Sequence, residues 1–216
     1  MSKLTCQISV SLDGYVAGPA QGPNDPLGEG GMRLHEWLFA GEGPELQVDI
    51  KNCGAFIMGR NMFGPGRGAW DESWHGWWGG NPYHQPVFVL THHERETLPV
   101  AGDAPFHFVT TGMKSALEQA RAVAGDRDVM VAGGAETVRQ YLAAGLLDEL
   151  LLTVTPVLLR TGERLLVDVG DPTFEQVETI VSPSVTHLRY RVTYRADPAE
   201  SSAAGAELSY AEAVGA

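Results

Sequence analysis

The chain has 216 residues, of which 44% are hydrophobic and 19% charged, as is typical of one globular domain with or without an extension. Its formal net charge of -12 argues against general attraction to nucleic acid or to an anionic membrane, because that attraction depends on clustered Lys and Arg. No apolar stretch approaches the roughly 20 residues that span a bilayer, and the N terminus lacks the pattern of a signal peptide. We therefore expect a cytoplasmic protein without nucleic-acid or membrane partners.

The two cysteines do not predict a disulfide framework or a metal site. Cys6 and Cys53 are too few and too widely spaced for either, and both lie in apolar surroundings. We expect each to be a small buried hydrophobic residue, and no metal ligand set is predicted.

The first third of the chain predicts two strands and two short helices. Polar and apolar residues alternate over 4–11, which predicts a strand with two distinct faces, and the Gly- and Pro-rich stretch 18–31 predicts a long loop. Short helices are predicted at 32–38 and 44–52. Residues 55–58 predict a short buried strand.

Residues 64–86 show no periodicity. They contain four of the five tryptophans, six glycines and three prolines. A loop of this length is usually functional or mobile, and its aromatic residues either close over a flat ligand or cover the core. The sequence leaves both alternatives open.

Strands and helices then alternate, with strands predicted at 87–90, 106–109, 129–132 and 147–154. Helices follow the second and third of these strands; Ser115 is predicted to cap the first helix and Gly145 to end the second. Residues 175–181 and 186–195 predict a closing antiparallel pair.

This order predicts an α/β fold with three layers, α/β/α, and a mostly parallel central sheet that carries an antiparallel C-terminal hairpin. We assign residues 1–195 to this domain. Residues 196–216 are rich in Ala and contain four acidic residues and no Lys or Arg, which predicts a disordered or loosely helical extension.

Two adjacent glycines, Gly133 and Gly134, stand where a predicted strand meets a predicted helix. The first backbone N–H groups of a helix have no partner within it, and the helix dipole favours an anion there. Because a Cβ obstructs close approach to these groups, the missing side chains favour a pyrophosphate site. A tight strand-to-helix turn is the alternative explanation.

Two further strand ends repeat this arrangement. Gly59, Arg60 and Asn61 follow one strand, and Arg60 is suited to hold a phosphate with two parallel hydrogen bonds. Thr91, His92 and His93 follow another and form a local cationic group, unless the histidines are simply solvated. In open α/β sheets, ligands bind at the carboxyl ends of the strands, so the three ends together predict a phosphorylated dinucleotide.

Four stretches carry a resemblance to a known family: SVSLDGYVA at 9–17, IMGRNMF at 57–63, VFVLTHH at 87–93 and AGGAETVRQYLAAGLLDELLLTVTPVLLRTGERLL at 132–166. In them the chain resembles the dihydrofolate-reductase-like superfamily, and within it the C-terminal reductase domain of the bifunctional riboflavin-biosynthesis deaminase/reductase. The two cysteines cannot form the P-C-x-x-C zinc signature of the deaminase, so we expect a stand-alone reductase domain.

The resemblance implies an NADPH-dependent reductase with a small-molecule substrate, and a homodimer. It implies that residues 133–137 meet the pyrophosphate, that residues 59–61 hold the phosphates from the other side, and that residues 91–93 surround the adenosine 2′-phosphate. The implied cofactor-binding residues are Ala17, Gly59, Arg60, Asn61, Thr91, His92, His93, Gly133, Gly134, Ala135, Glu136 and Thr137.

Two acidic residues are candidates for catalysis. Asp13 belongs to the segment that passes the nicotinamide in the family, although Asp-Gly is also common turn chemistry. The carboxylate that assists folate reduction in related enzymes falls at Leu34 here, so Glu36 is the nearby acid candidate. The activity implied most directly is 5-amino-6-(5-phosphoribosylamino)uracil reduction. Reduction of a pteridine or a carbonyl compound, or nucleotide binding without turnover, are the alternatives.

Overall fold

A nine-stranded sheet forms the centre of the computed structural model, which describes residues 2–42, 46–65 and 67–195. The strands of the protein are β1 (Leu4–Ser11), β2 (Tyr15–Ala17), β3 (Ala55–Gly59), β4 (Val87–Leu90), β5 (Leu98–Val100), β6 (Asp103–Val109), β7 (Val129–Gly133), β8 (Glu149–Thr155), β9 (Glu163–Arg164), β10 (Pro172–Val181) and β11 (Thr186–Tyr194). Every strand predicted from the sequence is present. The short strands β2, β5 and β9 were not predicted, because two or three residues carry no periodic signal.

The strand order in the main sheet is β10-β11-β8-β1-β7-β3-β4-β6-β5. The six strands from β8 to β6 in this order run parallel, whereas β11 and β10 at one edge and β5 at the other are antiparallel to their neighbours. Strands β2 and β9 form a separate two-stranded sheet. The prediction of a mostly parallel sheet with an antiparallel C-terminal hairpin is confirmed.

Helices cover both faces of the sheet, which confirms the three-layer prediction. They are α1 (Glu36–Phe39), α2 (Leu46–Asn52), α3 (Arg60–Phe63), α4 (Met113–Ala124) and α5 (Ala135–Ala143), and a 3-10 helix, Gly31–His35, leads into α1. Helices α4 and α5 bury Leu117 and Tyr141 against Ile57 and Val131 on one face. On the other face, Phe56 and Met130 form a second cluster against which residues of α2 and α3 pack.

The start of α4 differs from the prediction. The helix begins at Met113 after Gly112, whose φ of 94° is unfavourable for other residues, and Ser115 lies inside it rather than at its cap. The Ser115 hydroxyl instead accepts a hydrogen bond from the Thr111 hydroxyl at 2.8 Å. Local sequence does not distinguish a serine at a helix N-cap from a serine two residues inside the helix. The pattern therefore could not predict which position Ser115 occupies.

The tryptophan-rich segment 64–86 contains no helix or strand among its described residues. Trp70 packs edge to face against Phe63 and Phe108, with ring centroids 5.8 and 5.0 Å apart. The Trp74 indole donates a hydrogen bond to the Phe63 carbonyl at 2.9 Å. The first half of this segment therefore covers the core.

Asp13 ties the turn after β1 to the segment after β8. Its carboxylate accepts hydrogen bonds from the Ser11 hydroxyl at 2.6 Å and from the backbone N–H groups of Leu159 and Arg160 at 3.2 and 2.7 Å. The bond from Ser11 chiefly, together with the backbone bonds, lowers the pKa of Asp13.

Two predictions from the sequence reach outside the described residues. The acidic extension 196–216 lies wholly there, and so do residues 44 and 45 at the start of the helix predicted over 44–52. Within the described parts of the chain, no helix has both the length and the apolar character needed to cross a membrane.

We predict that Phe63→Ala lowers the free energy of unfolding by about 3–5 kcal/mol, because a fully buried ring that contacts three other aromatic rings is removed. Chemical denaturation measures this change. Val181→Ala, at a side chain that is 79% exposed, is the control and is expected to change the value by less than about 0.5 kcal/mol. A small loss for Phe63→Ala would show that this cluster is not a cooperative part of the core.

We also predict that Asp13→Asn lowers the melting temperature at neutral pH. The folded-state pKa of Asp13 lies below its ordinary value of 3.8, so its stabilisation is present above that pH and is lost as the pH falls through the folded-state value. The difference in melting temperature between the wild type and the variant is therefore expected to close in acid. Asp126→Asn at an exposed site is the control, and a difference that is independent of pH contradicts the assignment.

Candidate functional site

A cavity of about 1150 Å³ opens at the carboxyl ends of β7, β3 and β4, which are neighbours in the sheet. The structure thus brings together the three strand ends that the sequence singled out. Every residue proposed to bind a cofactor lines this cavity: Ala17, Gly59, Arg60, Asn61, Thr91, His92, His93, Gly133, Gly134, Ala135, Glu136 and Thr137.

The two adjacent glycines serve different purposes. Gly133 ends β7 with φ at +129°, a conformation that L side chains rarely adopt, and a Cβ there would lie 3.1 Å from the Met62 sulfur. Gly134 precedes α5 with an extended backbone, and a Cβ added to it meets no atom within 4 Å. The peptide bond between the two glycines is cis. A glycine is needed at 133 for the backbone conformation of this turn, whereas the missing side chain at Gly134 leaves open space at the start of α5.

The start of α5 offers free backbone donors to that open space. No side chain forms a capping hydrogen bond at this end of the helix. The only acidic residue of its first turn is Glu136, whose pKa is lowered by hydrogen bonds first from Arg139 and then from Gln140. Its carboxylate is therefore occupied by its own helix, and an anion can be bound by the N–H groups of the first turn.

The end of β3 lies directly against this helix. A Cβ at Gly59 would lie 2.5 Å from the Thr137 hydroxyl oxygen, closer than two such atoms ever approach. Thr137 is itself buried. The absence of a side chain at Gly59 thus lets β3 and α5 meet, and it brings Arg60 to the same cavity as the free amides.

Arg60 is held mainly by the tryptophan-rich segment. Its guanidinium lies 3.8 Å above the Trp70 ring and donates hydrogen bonds to the Gly68 and Ala69 carbonyls at 2.5 and 3.3 Å. Arg95 lies near the same ring, 5.2 Å from its centroid. Burial, and then the positive charge of Arg95, lower the pKa of Arg60, although an arginine remains protonated at neutral pH.

The end of β4 presents two exposed histidines beside a buried threonine. The Thr91 hydroxyl accepts a hydrogen bond from the His93 backbone N–H at 3.1 Å, which shapes this turn. The Trp70 indole donates to the His93 carbonyl at 2.8 Å. The tryptophan-rich segment is therefore hydrogen-bonded to the turn whose residues the family resemblance assigns to the 2′-phosphate.

The two acids considered for catalysis do not line the cavity. Asp13 uses its carboxylate in the turn described above, and Glu36 is exposed at the start of α1. Leu34, at the position where related enzymes carry an acid, is fully buried. The carboxylates that line the cavity, within the described residues, are Glu136 and Glu163.

Among the lining residues that were not identified from the sequence are Gln7, Ser9, His35 and Trp37. The Trp37 indole donates a hydrogen bond to the Ser9 hydroxyl at 3.1 Å, which joins α1 to β1. The alternation in β1 did place Gln7 and Ser9 on one face. A polar face on a strand is usually solvated, so the pattern carried no sign that this face lines a cavity.

The comparisons with known proteins agree with this fold. The chain matches the family model of the RibD C-terminal domain over residues 2–188. Among curated proteins no match was found. A putative riboflavin biosynthesis protein from Shewanella sp. PV-4 is 22% identical, with a TM-score of 0.63 over 89% of this chain and 99% of that one.

Two further solved structures share the fold. A diaminohydroxyphosphoribosylaminopyrimidine deaminase/5-amino-6-(5-phosphoribosylamino)uracil reductase from Thermotoga maritima is 15% identical, with a TM-score of 0.57 over 88% of this chain and 56% of that one. Dihydrofolate reductase from Enterococcus faecalis, complexed with NADP(H) and RAB-propyl, is 14% identical, with a TM-score of 0.53 over 88% and 96%. The fold is thus that of dihydrofolate reductase, and the chain belongs to the RibD C-terminal domain family.

Proposed function

We propose that this protein is an NADPH-dependent reductase that transfers a hydride to a small heterocyclic acceptor. The observation that carries the proposal is the convergence on one cavity of three glycine- or cation-bearing strand ends. The family assignment and the likeness to a dihydrofolate reductase complexed with NADP(H) support it. Reduction of a phosphoribosylamino-pyrimidine is the activity that the bifunctional relative suggests.

The residues present fit a dinucleotide phosphate. The backbone amides at the start of α5 face open space at Gly134, and an anion there is favoured by the helix dipole. Arg60 adds positive charge to an otherwise acidic protein, and His92 and His93 line the same cavity and offer ring nitrogens to a phosphate. These groups support the proposal of a phosphorylated cofactor.

When bound, NADPH supplies the hydride. The protein residues bind and orient the cofactor and the acceptor, and they exclude water. Trp37 and Ser9 form a fixed wall beside the cavity through their hydrogen bond. Glu136 and Glu163 lie on helix α5 and strand β9, and Arg139 contacts both carboxylates. We therefore propose that the proton required by the acceptor comes from water. The family resemblance further suggests a homodimer, which light scattering tests.

We predict that Gly134→Ala weakens NADPH binding at least about ten-fold with little change in the melting temperature. The added methyl group meets no protein atom within 4 Å, so it occupies only the space before the amides. Fluorescence titration with NADPH measures the affinity. Gly80→Ala is the matched control, because a Cβ there also meets nothing within 4 Å and Gly80 is not a lining residue. Equal affinity of Gly134→Ala and the wild type contradicts a pyrophosphate at this turn.

We predict that His92→Ala weakens NADPH about five-fold and leaves NADH nearly unchanged, because only NADPH carries the 2′-phosphate. The same titration with both cofactors measures the difference. His75→Ala, at an exposed histidine that does not line the cavity, is the control and is expected to change neither affinity. An equal loss for NADPH and NADH rules out a 2′-phosphate role for His92.

A further inference from the structure

The positive charges that line the cavity are concentrated at one end of it. In the part of the chain that the structure describes, the lining arginines are Arg60, Arg67 and Arg139. Arg60 and Arg139 belong to the helices that follow β3 and β7, and Arg67 precedes Gly68, whose carbonyl Arg60 binds. With the histidine pair after β4, these residues define what we call the cofactor end.

We call a second group of lining residues the acceptor end. It comprises the polar residues Gln7, Ser9 and His35 and the apolar residues Trp37, Leu38, Phe39, Ile50, Trp78 and Tyr83, four of which are aromatic. The hydrogen bond between Trp37 and Ser9 fixes one wall of this end. Tyr83 stacks on Phe56 with ring centroids 4.2 Å apart and forms part of the opposite wall with Trp78, whose ring centroid is 6.3 Å from that of Tyr83.

No fixed cation lies at the acceptor end among the described lining residues. Outside the described residues the sequence contains no Lys, Arg or His. His35 is the remaining basic group, and burial lowers its pKa from 6.5. Its ring is therefore neutral at neutral pH, and the acceptor end carries no positive charge.

This distribution decides which acceptor the cavity accommodates. A phosphate bound among these side chains loses its water without gaining a counter-charge, which is unfavourable. A flat ring gains contact with the indole and phenol walls instead. Among the described residues, the buried Gln7 side-chain oxygen has no hydrogen-bond partner, so the amide of Gln7 has capacity for a polar ring edge.

We propose that the acceptor is an uncharged, flat heteroaromatic compound without a phosphate group, bound against the aromatic side chains with an N–H edge toward the Gln7 side-chain oxygen. The proposal rests on the reductase function and narrows its substrate class away from the phosphoribosylamino-pyrimidine. Two electrons and one hydrogen pass as a hydride from NADPH to the carbon of a C=N or C=O bond. Water supplies the proton to the nitrogen or oxygen, and NADP⁺ leaves.

Binding of matched probes tests this proposal. Neopterin and neopterin monophosphate share one ring system and differ by the phosphate, and quenching of the lining tryptophans reports their binding in the presence of saturating NADP⁺. We expect neopterin to bind at least about ten-fold more tightly than its monophosphate. Equal or tighter binding of the monophosphate overturns the proposal, and so does a failure of both probes to bind.

A charge introduced at the acceptor end provides the converse test. Leu38 is a lining residue that is 40% exposed, so Leu38→Arg adds a cation without burying it. We expect this variant to bind neopterin monophosphate at least about ten-fold more tightly than the wild type does. Val123→Arg, at a 49% exposed residue of α4, is the matched control and is expected to have no effect. An effect of the same size in both variants overturns the assignment of the acceptor end.

Failure of this inference is distinguishable from failure of the reductase function. NADPH affinity is measured separately, without any acceptor, by direct titration. If NADPH binds and the phosphorylated probe is preferred, the substrate class is wrong and the reductase function stands. If NADPH does not bind, the reductase function fails, whatever the two pterins do.

Discussion

The close approach of β3 to α5 is the contact on which the site depends. It is possible only because Gly59 has no side chain where the Thr137 hydroxyl lies. On the same face of α5 as Thr137, Val138 and Tyr141 are fully buried in the core against the sheet, which holds the helix close to β3. The same contact turns the free amides of the helix start and the charge of Arg60 toward one cavity. An anion site therefore follows from packing as much as from polar groups.

The tryptophan-rich segment links the core to the cofactor end. Trp70 lies between two guanidiniums, with Arg60 at 3.8 Å and Arg95 at 5.2 Å from its ring centroid, and its indole N–H binds the His93 carbonyl. Interaction with the π face offsets the repulsion between the two cations. Of the two alternatives for this segment, covering the core is realised by Trp70 and Trp74, while Trp77 and Trp78 line the cavity.

The uneven charge of the cavity separates the roles of its two ends. A dinucleotide phosphate needs the cationic end, whereas the aromatic end suits a flat ring and has neither a fixed cation nor a carboxylate among its described lining residues. The buried Leu34 stands where folate-reducing relatives are expected to carry an acid. In the function that we propose, the protein therefore keeps the cofactor half of the site and differs at the acceptor half.

Local sequence determined the strands, most helices and the three glycine- or cation-bearing strand ends, because periodicity and missing side chains act within a few residues. That these ends lie at one edge of the sheet followed from the predicted parallel topology and is confirmed, whereas the structure alone showed that the three strands are neighbours. Only the tertiary structure decided that Arg60 stacks on Trp70, that Asp13 serves a turn, and that Gln7 and Ser9 line the cavity. These outcomes depend on partners distant in the chain, such as Trp37 for Ser9 and Arg160 for Asp13. A residue's own neighbours in sequence carry no information about which partner folding will place beside it.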